Sequence, residues 1–259
     1  MFRSILSAAL VAGLGTTAFG AAVPWDWTYD ANLLPGTSGS IEHNGTPWSS
    51  FSPYLNNPSK LTDSVGGGQY NASTLGTDDA AGWQYPVGSG SLAYLKSATG
   101  YTLEWRVKIN TIELNNGGNG AVGLSMEDGD TNVNEWFFFG FDLTDGQYRA
   151  VLQGGNLYNA TVTNIDNNMH TYRITVLGTT ANLYMDGAFI GSVTDPRMDI
   201  DANIITWGDG TPDNDSSYTV DYLYATGQGA FAPVAVPEPA MLGLVALGGL
   251  AMLRRRREV

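Results

Sequence analysis

The feature that most constrains the fold of this chain is a strict alternation of apolar and polar side chains in the segment YTLEWRVKIN, Tyr101–Asn110. Tyr101 and every second residue after it are apolar, whereas Thr102 and every second residue after it are polar or charged. Successive side chains of a β-strand point to opposite faces, so this period predicts a half-buried strand. An amphipathic helix would repeat roughly every 3.6 residues instead.

Further short runs of β-branched and aromatic residues follow, separated by clusters of glycine, asparagine and aspartate. They cover Ala121–Met126, Glu135–Asp142, Gln147–Leu152, His170–Leu177, Ala181–Met185, Phe189–Val193, Ile204–Trp207 and Tyr218–Ala225. No convincing helix interrupts them, and Asp186-Gly187 is typical of a type I′ hairpin turn, in which both residues need positive φ. We therefore predict an all-β fold, a two-sheet antiparallel jelly-roll sandwich. A propeller is disfavoured because no period of about 40 residues appears.

The segment before Tyr101 is less regular, because it contains several prolines and the run Gly66–Gly68. We interpret it as early edge strands joined by long loops. Four tryptophans lie in or near those loops on this interpretation: Trp25, Trp27, Trp48 and Trp83. Trp105, Trp136 and Trp207 fall within predicted strands, where core positions are expected.

The first 22 residues have the three parts of a secretory signal peptide. Arg3 supplies a positive charge, Ile5–Leu14 an apolar stretch and Ala18-Phe19-Gly20 a small-residue cleavage pattern. Cleavage is expected after Gly20 or Ala22, so the chain is predicted to be exported and this segment is left out of the fold.

The last 24 residues, 236–259, have an unusual order of parts. A Pro-Glu-Pro triplet precedes 14 uncharged residues, Ala240–Leu253, and four arginines follow them. As a helix the uncharged residues would rise about 21 Å, short of the roughly 30 Å hydrocarbon core of a bilayer. A packed helix should nevertheless have a polar face, which is missing here, and the arginines can snorkel and stay on the cytoplasmic side. We predict a short transmembrane segment over residues 240–253.

This order resembles the PEP-CTERM sorting signal of Gram-negative bacteria that make exopolysaccharide. The residues that carry the resemblance are Pro237, Glu238, Pro239, Arg254, Arg255, Arg256 and Arg257. The resemblance implies an exosortase as processing partner, a membrane protease-transpeptidase that cuts near the Pro-Glu-Pro and releases or re-anchors the protein. It also implies passage across the inner membrane, a transient membrane anchor, and a final location at the cell surface or in the extracellular matrix.

Composition narrows the function of the remaining body, residues 23–235, which we expect to form one domain. It contains seven basic and 23 acidic residues, a formal net charge of −16 that argues against a nucleic-acid partner. The chain has no cysteine, which excludes disulfides, thiol nucleophiles and zinc–thiolate sites. The acidity suits a divalent cation, although a solvated acidic surface is its commoner explanation.

Several segments, in order, resemble the strands of concanavalin A-like, laminin-G-type jelly rolls. They are YTLEWRVKIN, AVGLSM, EWFFFGFDL, NMHTYRITVLGTTANLYMDGAFIGS (Asn168–Ser192), ITWGDG (Ile205–Gly210) and YTVDYLYAT (Tyr218–Thr226). The resemblance extends over roughly Gly66–Thr226 and implies a concanavalin A-like jelly roll for the body. Domains of this type often hold one Ca²⁺ through loop aspartates and backbone carbonyls, so the resemblance also implies a possible Ca²⁺ site. It identifies no particular function.

The densest group of aspartates is our candidate calcium site. Asp209, Asp213 and Asp215 lie in the segment DGTPDND just after a predicted strand, and Ca²⁺ takes roughly six to eight oxygen ligands. Asp128 and Asp130 in EDGD form a second candidate loop. The alternative is that all of these are ordinary turn residues, as Asp-Gly and Pro-Asp pairs commonly are.

No catalytic motif is recognisable in the chain. Jelly-roll β-glucanases carry Glu-x-Asp-x-x-Glu on one strand, whereas the nearest approach here, MEDGD at Met126–Asp130, ends at a glycine turn. The arginine and Gln-Ile-His signatures of jelly-roll lyases are missing. The two histidines are His43 in a loop and His170 at the start of a strand, where a structural role is expected.

We therefore predict a non-catalytic, exported cell-surface or biofilm-matrix protein that binds carbohydrate or another envelope component. The sequence does not identify its ligand-binding residues. The alternative is a secreted carbohydrate-active enzyme, a glycoside hydrolase or lyase, on the same fold; a purely structural surface protein is a third hypothesis. Two carboxyl groups at catalytic separation in a groove beside exposed aromatic side chains would favour the enzyme.

Overall fold

The computed structural model describes residues 22–40, 49–51, 61–77, 80–86, 95, 98–114, 122–127, 136–154, 160–194, 204–210 and 214–233. The body, Ala21–Ala232, forms one compact unit. Residues 1–21, the sorting signal with its predicted transmembrane segment, and His43, Asp128, Asp130 and Asp213 lie outside the described residues. Within the described ranges, no helix has the length and apolar character needed to cross a membrane.

Strands account for the regular structure of the described ranges. They are β1 (Trp27–Tyr29), β2 (Ser49–Phe51), β3 (Thr62–Gly66), β4 (Gln69–Ser73), β5 (Ala81–Pro86), β6 (Tyr101–Leu114), β7 (Val122–Glu127), β8 (Trp136–Thr144), β9 (Gln147–Gln153), β10 (Ala160–Asn164), β11 (His170–Leu177), β12 (Thr180–Met185), β13 (Ala188–Thr194), β14 (Ile204–Asp209) and β15 (Asn214–Thr226).

These strands form two sheets. Sheet A has eight strands in the order β13-β12-β11-β6-β15-β4-β3, with β1 also paired to β15. Sheet B has seven strands in the order β10-β9-β8-β7-β14-β5-β2. Neighbouring strands run antiparallel in both sheets. The described residues contain no helix, so the predicted all-β, two-sheet antiparallel sandwich is confirmed.

The alternation in β6 shows why the sequence specifies a sandwich. Within Tyr101–Asn110, the apolar side chains are at most 2% exposed: Tyr101, Leu103, Trp105, Val107 and Ile109. From sheet A, the Trp105 ring reaches Phe139, Phe141 and Trp207 of sheet B, with ring centroids 5.9–6.3 Å apart. The core between the sheets is therefore largely aromatic, as predicted for Trp105 and Trp207.

The early strands are more deeply integrated than the sequence suggested. β2 and β3 are edge strands as predicted, but β4 lies between β15 and β3, and β5 lies between β14 and β2. Trp27 and Trp83 are core residues on β1 and β5, with exposures of 0% and 9%. Their assignment to loops is therefore wrong. The strands that bury them are more than a hundred residues further along the chain, as the pairs Trp27–Ala225 and Trp83–Trp207 show.

The hairpin between β12 and β13 follows its predicted turn chemistry. Asp186 and Gly187 have φ values of 51° and 84°, as a type I′ turn requires. The two flanking strands pair antiparallel.

Candidate functional site

The two described members of the predicted calcium site, Asp209 and Asp215, are fully buried. Oδ2 of Asp209 accepts hydrogen bonds from the Thr74 hydroxyl at 2.5 Å and from the Ser216 hydroxyl at 3.0 Å. Asp209 ends β14 of sheet B, whereas Ser216 lies on β15 of sheet A. This buried carboxylate therefore ties the two sheets to each other.

Asp215 stabilises the turn that follows β4. Its Oδ2 accepts hydrogen bonds from the backbone N–H groups of Gly76 at 2.6 Å and Thr77 at 3.1 Å. These bonds give Asp215, like Asp209, a structural role that needs no metal. Within the described ranges, no three His, Cys, Asp or Glu side chains lie close enough to hold a metal ion. A calcium site that also uses Asp213 stays a prediction.

His170 lies between two carboxylates at the start of β11. Its Nδ1 is 2.6 Å from Oδ2 of Asp186, and its Nε2 is 2.8 Å from Oδ1 of Asp166. Both neighbours are acceptors when ionised, so the ring donates from both nitrogens as an imidazolium. Burial by itself lowers the pKa of His170, but the hydrogen bonds and charges of Asp186 and Asp166 outweigh it and raise the pKa above its ordinary value. Neither ring nitrogen is left to activate a nucleophile in this arrangement.

A row of glycines crosses sheet B on the face opposite the core. Gly208 of β14 is paired with Gly82 of β5 on one side and with Gly123 of β7 on the other, and Gly123 is paired with Gly140 of β8. Strands are about 4.8 Å apart, so the row spans about 14 Å without a side chain of its own. Glycine weakens a strand interior and often marks a close approach of another group to the backbone.

Phe138 lies over two of these glycines. An added Cβ would stand 2.2 Å from Cε2 of Phe138 at Gly123, and 2.3 Å from its Cε1 at Gly140. The Phe138 ring therefore takes the space that side chains at both positions would need, and it is half-buried there.

Uncharged polar side chains continue this face beside the glycine row. They share one row with Phe138 across five strands: Gln84, Thr206, Ser125 and Gln153. All four are half-buried. We call these four residues, Phe138 and the four glycines the sheet B outer face.

Charge lies only at the margin of the described part of this face. Asp142, two residues after Gly140 on β8, receives two hydrogen bonds from Arg149, at 2.8 Å from Nε and 2.6 Å from Nη2. The hydrogen bond to Asp142 raises the pKa of the Arg149 guanidinium, which therefore stays ionised. Glu127 stands two positions after Ser125 on β7 and belongs to the same strand face by register.

Sequence reasoning missed this face, although a signal for it was present. One glycine stands beside a buried aromatic residue in GWQY, FFGF and TWGD, and one stands beside a buried leucine in VGLS. Glycines at outward positions of several strands form a row only if the strands are paired in the right register. Register depends on pairing between distant segments, so it cannot be read from one strand.

The outer face of sheet A has a different chemistry. Glu104 accepts hydrogen bonds from Arg173 (Nε, 2.6 Å) and from the Tyr222 hydroxyl (2.9 Å). The Arg173 guanidinium also lies 5.8 Å from the centre of the Trp25 ring. Tyr222 stacks on Tyr224 with ring centres 4.4 Å apart, and burial raises the pKa of Tyr222 to about 12. We call these five residues the sheet A outer face.

Comparison with known proteins identifies the C-terminal segment. Residues 235–257 match the family model of the PEP-CTERM protein-sorting motif. The motif indicates an exported protein sorted by an exosortase, as the resemblance of Pro237–Pro239 and Arg254–Arg257 implied. No curated protein sequence matches the chain.

Three solved structures illustrate the likeness of the body to known proteins. A β-glucanase of Bacillus licheniformis is 12% identical, with coverage of 77% of this chain and 96% of that one, and a TM-score of 0.48. A carbohydrate esterase of the Shiga toxin-encoding bacteriophage phi24B is 14% identical, with coverage of 79% and 98% and a TM-score of 0.48. The binding domain of botulinum neurotoxin DC, in complex with SialylT, is 12% identical, with coverage of 74% of this chain but only 46% of that one, and a TM-score of 0.48. Likenesses at this level identify neither an activity nor a ligand of this chain.

Proposed function

Because the chain ends in a PEP-CTERM protein-sorting motif, we propose that it is a non-catalytic, exported carbohydrate-binding protein of the cell surface or extracellular matrix. It binds polysaccharide through the sheet B outer face. The observation that carries this proposal is the row of amide, hydroxyl and aromatic side chains beside four glycines.

The side chains of this face match the surface of a sugar ring. A sugar offers hydroxyl groups at its edge and apolar C–H groups on its faces. Gln84, Thr206, Ser125 and Gln153 carry the donors and acceptors that hydroxyl groups require, and the Phe138 ring supplies apolar contact. The glycines let the Phe138 ring lie flat against the strands at Gly123 and Gly140, which fixes the aromatic contact beside the polar row.

An uncharged polysaccharide suits this face better than an acidic one. The mature body has a formal net charge of −16, which repels a polyanion. Arg149, the basic residue on the described strands of sheet B, is held by Asp142 in a bidentate ion pair. We therefore expect neutral glucans and similar polymers to bind more tightly than uronate-containing polymers.

The test compares two phenylalanines on opposite sheets in the mature body, residues 23–235. Phe138→Ala is expected to weaken binding on a glycan array, and in affinity electrophoresis with neutral polysaccharide, by about tenfold, the loss of one aromatic contact of roughly 1–1.5 kcal/mol. Phe189→Ala is the matched control, because Phe189 lies on sheet A and is 59% exposed. Equal binding by the two variants, at equal melting temperature, would overturn the proposal.

The alternative of a carbohydrate-active enzyme has one specific observation behind it, the position of Glu127 on the same strand face as Ser125. A retaining glycosidase needs a second carboxyl group about 5–5.5 Å away, and Asp142 is already engaged by Arg149. The mature body is expected to release no reducing ends and no unsaturated products from the polysaccharide it binds. Product release that Glu127→Gln abolishes, with binding retained, would establish the enzyme instead.

A further inference from the structure

The Phe138 ring has a defined orientation on sheet B. An ideal Cβ at Gly123 would lie 2.2 Å from Cε2 and 2.4 Å from Cζ of Phe138, and one at Gly140 would lie 2.3 Å from both Cε1 and Cζ. Gly123 and Gly140 are directly paired, so the line from Cε1 to Cε2 runs across the strands. Gly140 stands two residues after Phe138 on β8, so the long axis of the ring runs along the strand. Both directions lie in the sheet, and the ring plane is therefore parallel to it.

A ring that lies parallel to the sheet has two faces in different surroundings. One face rests on the backbone at Gly123 and Gly140, where any Cβ would push the ring away. The other face is directed away from the sheet, and the side chain as a whole is half-buried. The outward face of an aromatic ring is an apolar platform on which C–H groups can stack.

Hydrogen-bonding side chains stand on both sides of this platform. Ser125 of β7 and Gln153 of β9 are each paired directly with Phe138, so their backbones lie about 4.8 Å away on either side. Both side chains are half-buried, and each can donate and accept hydrogen bonds. Polar groups therefore lie beside the platform, at the level where the edge of a stacked ligand would be.

A pyranose ring that stacks on this platform has to satisfy two conditions. Its stacked face should carry only C–H bonds, because an axial hydroxyl stands perpendicular to the sugar ring and separates it from the aromatic face. Its equatorial hydroxyls should point sideways, where Ser125 and Gln153 can bind them. A β-glucosyl unit satisfies both conditions on either face, because all of its ring substituents are equatorial. A mannosyl or galactosyl unit carries an axial hydroxyl.

We propose that Phe138, Ser125 and Gln153 form a subsite that selects pyranose units with only equatorial substituents, so that the protein binds β-glucans more tightly than mannans or galactans. The inference rests on the proposed function, because it concerns the same face of sheet B. It also goes further, because the charge of the body separates neutral from acidic polymers, whereas this subsite separates neutral polymers by their stereochemistry.

The test measures the affinity of the mature body, residues 23–235, for three neutral polymers by affinity electrophoresis. They are a soluble β-glucan, a soluble β-mannan and a soluble β-galactan. The wild type is expected to bind the β-glucan at least about fivefold more tightly than either of the others, a factor that corresponds to one hydrogen bond at an exposed site.

Three variants of equal melting temperature then locate the source of this preference. Phe138→Leu keeps an apolar side chain but removes the flat ring, so it should weaken β-glucan binding about fivefold and abolish the preference. Gln153→Ala should reduce the ratio of β-glucan to β-mannan affinity about threefold. Gln84→Ala is the matched control, because Gln84 is also half-buried and lies in the same row, but on β5, three strands and about 14 Å from Phe138. It should leave the ratio unchanged.

The outcomes separate this inference from the proposed function. Equal affinity of the wild type for the three polymers would overturn the inference and leave carbohydrate binding intact. Equal changes of the affinity ratio in Gln153→Ala and Gln84→Ala would do the same. A wild type that binds no neutral polysaccharide would overturn the proposed function and the inference together.

Discussion

The outer faces of the two sheets belong to one sandwich and are built on different principles. On sheet A, Arg173, Glu104 and Tyr222 use their polar groups on one another. On sheet B, the corresponding area consists of glycines and uncharged side chains, with the Asp142–Arg149 pair at its margin. A buried ionised side chain is stable only with a close partner of opposite charge or a hydrogen-bonding group. A glycine has no side chain that needs a partner.

Under the proposed function, this difference separates a face that stabilises the body from a face that binds the ligand. The partners on sheet A come from β6, β11 and β15, so their hydrogen bonds hold these three neighbouring strands together. The proposal assigns sugar binding to the neutral side chains of sheet B, because an uncharged polar group costs less to desolvate than an ionised one. Substitutions on sheet A should therefore act first on stability, and those on sheet B on binding.

The largest effect is expected from Arg173→Met. Glu104 has a side-chain exposure of only 11%, so loss of its guanidinium partner leaves a nearly buried carboxylate and should lower the free energy of unfolding by about 3 kcal/mol. Urea denaturation of the mature body measures it. In the control, Arg106→Met, the pair with Asp221 is 3.3 Å apart and exposed, and the change should be below about 0.5 kcal/mol.

The next effect tests whether the glycine row is truly intolerant of side chains. Gly140→Ala would bring its Cβ within 2.3 Å of Phe138 and 2.9 Å of the Val122 carbonyl oxygen, and should destabilise the body by about 2 kcal/mol. It should also displace the Phe138 ring and weaken polysaccharide binding. Gly66→Ala, where nothing lies within 4 Å and φ is not positive, should change neither property. A stable, fully binding Gly140→Ala would remove the structural distinction between the faces.

A smaller effect concerns pH. The pKa of His170 in the folded body is raised above its ordinary value of 6.5, so its stabilisation is complete below about pH 6.5 and is lost as the pH rises through the folded pKa. The difference in unfolding free energy between the wild type and His170→Gln should therefore be larger at pH 5.5 than at pH 9. Polysaccharide binding should not follow this dependence, because amide and hydroxyl groups do not titrate there. Equal differences at both pH values would contradict the ion-pair assignment of His170.

The smallest expected effect concerns calcium at the junction of the sheets. If Asp209, Asp213 and Asp215 hold Ca²⁺, excess Ca²⁺ should raise the melting temperature of the mature body, and Asp213→Asn should abolish the rise. Asp166→Asn, a change in an exposed aspartate elsewhere, is the control. A melting temperature that is insensitive to both Ca²⁺ and EDTA would exclude the site.

The sequence predicted those strands and turns whose conformation depends on residues next to them in the chain. The alternation of Tyr101–Asn110 and the Asp186-Gly187 turn depend on neighbouring residues, and the strand and the turn are confirmed. The strand is half-buried only in its later part, because Thr102 and Glu104 are also buried. The burial of Trp27 and Trp83 depends on β15 and β14, which no local pattern reveals. Because pairing with distant strands determines the burial of these two tryptophans, local propensity could not predict it.

The candidate site was harder to predict for the same reason. Asp209 and Asp215 were expected to converge because they are near in sequence. Each accepts hydrogen bonds from the segment Thr74–Thr77, more than 130 positions away, and no local pattern reveals these partners. The glycines of the sheet B outer face look like breaks in their strands until register aligns them. Their significance arises only from the assembled sheet.

The position of β15 has a consequence for the order of events during biosynthesis. This strand pairs with β6, β4 and β1, yet it is the last strand of the body to be synthesised. Among the described strands, β15 is the one that links the β3–β4 pair to the rest of sheet A and the one that pairs with β1, so neither contact forms until residues 214–226 emerge. Sheet A therefore cannot be completed until the C-terminal end of the body has been synthesised.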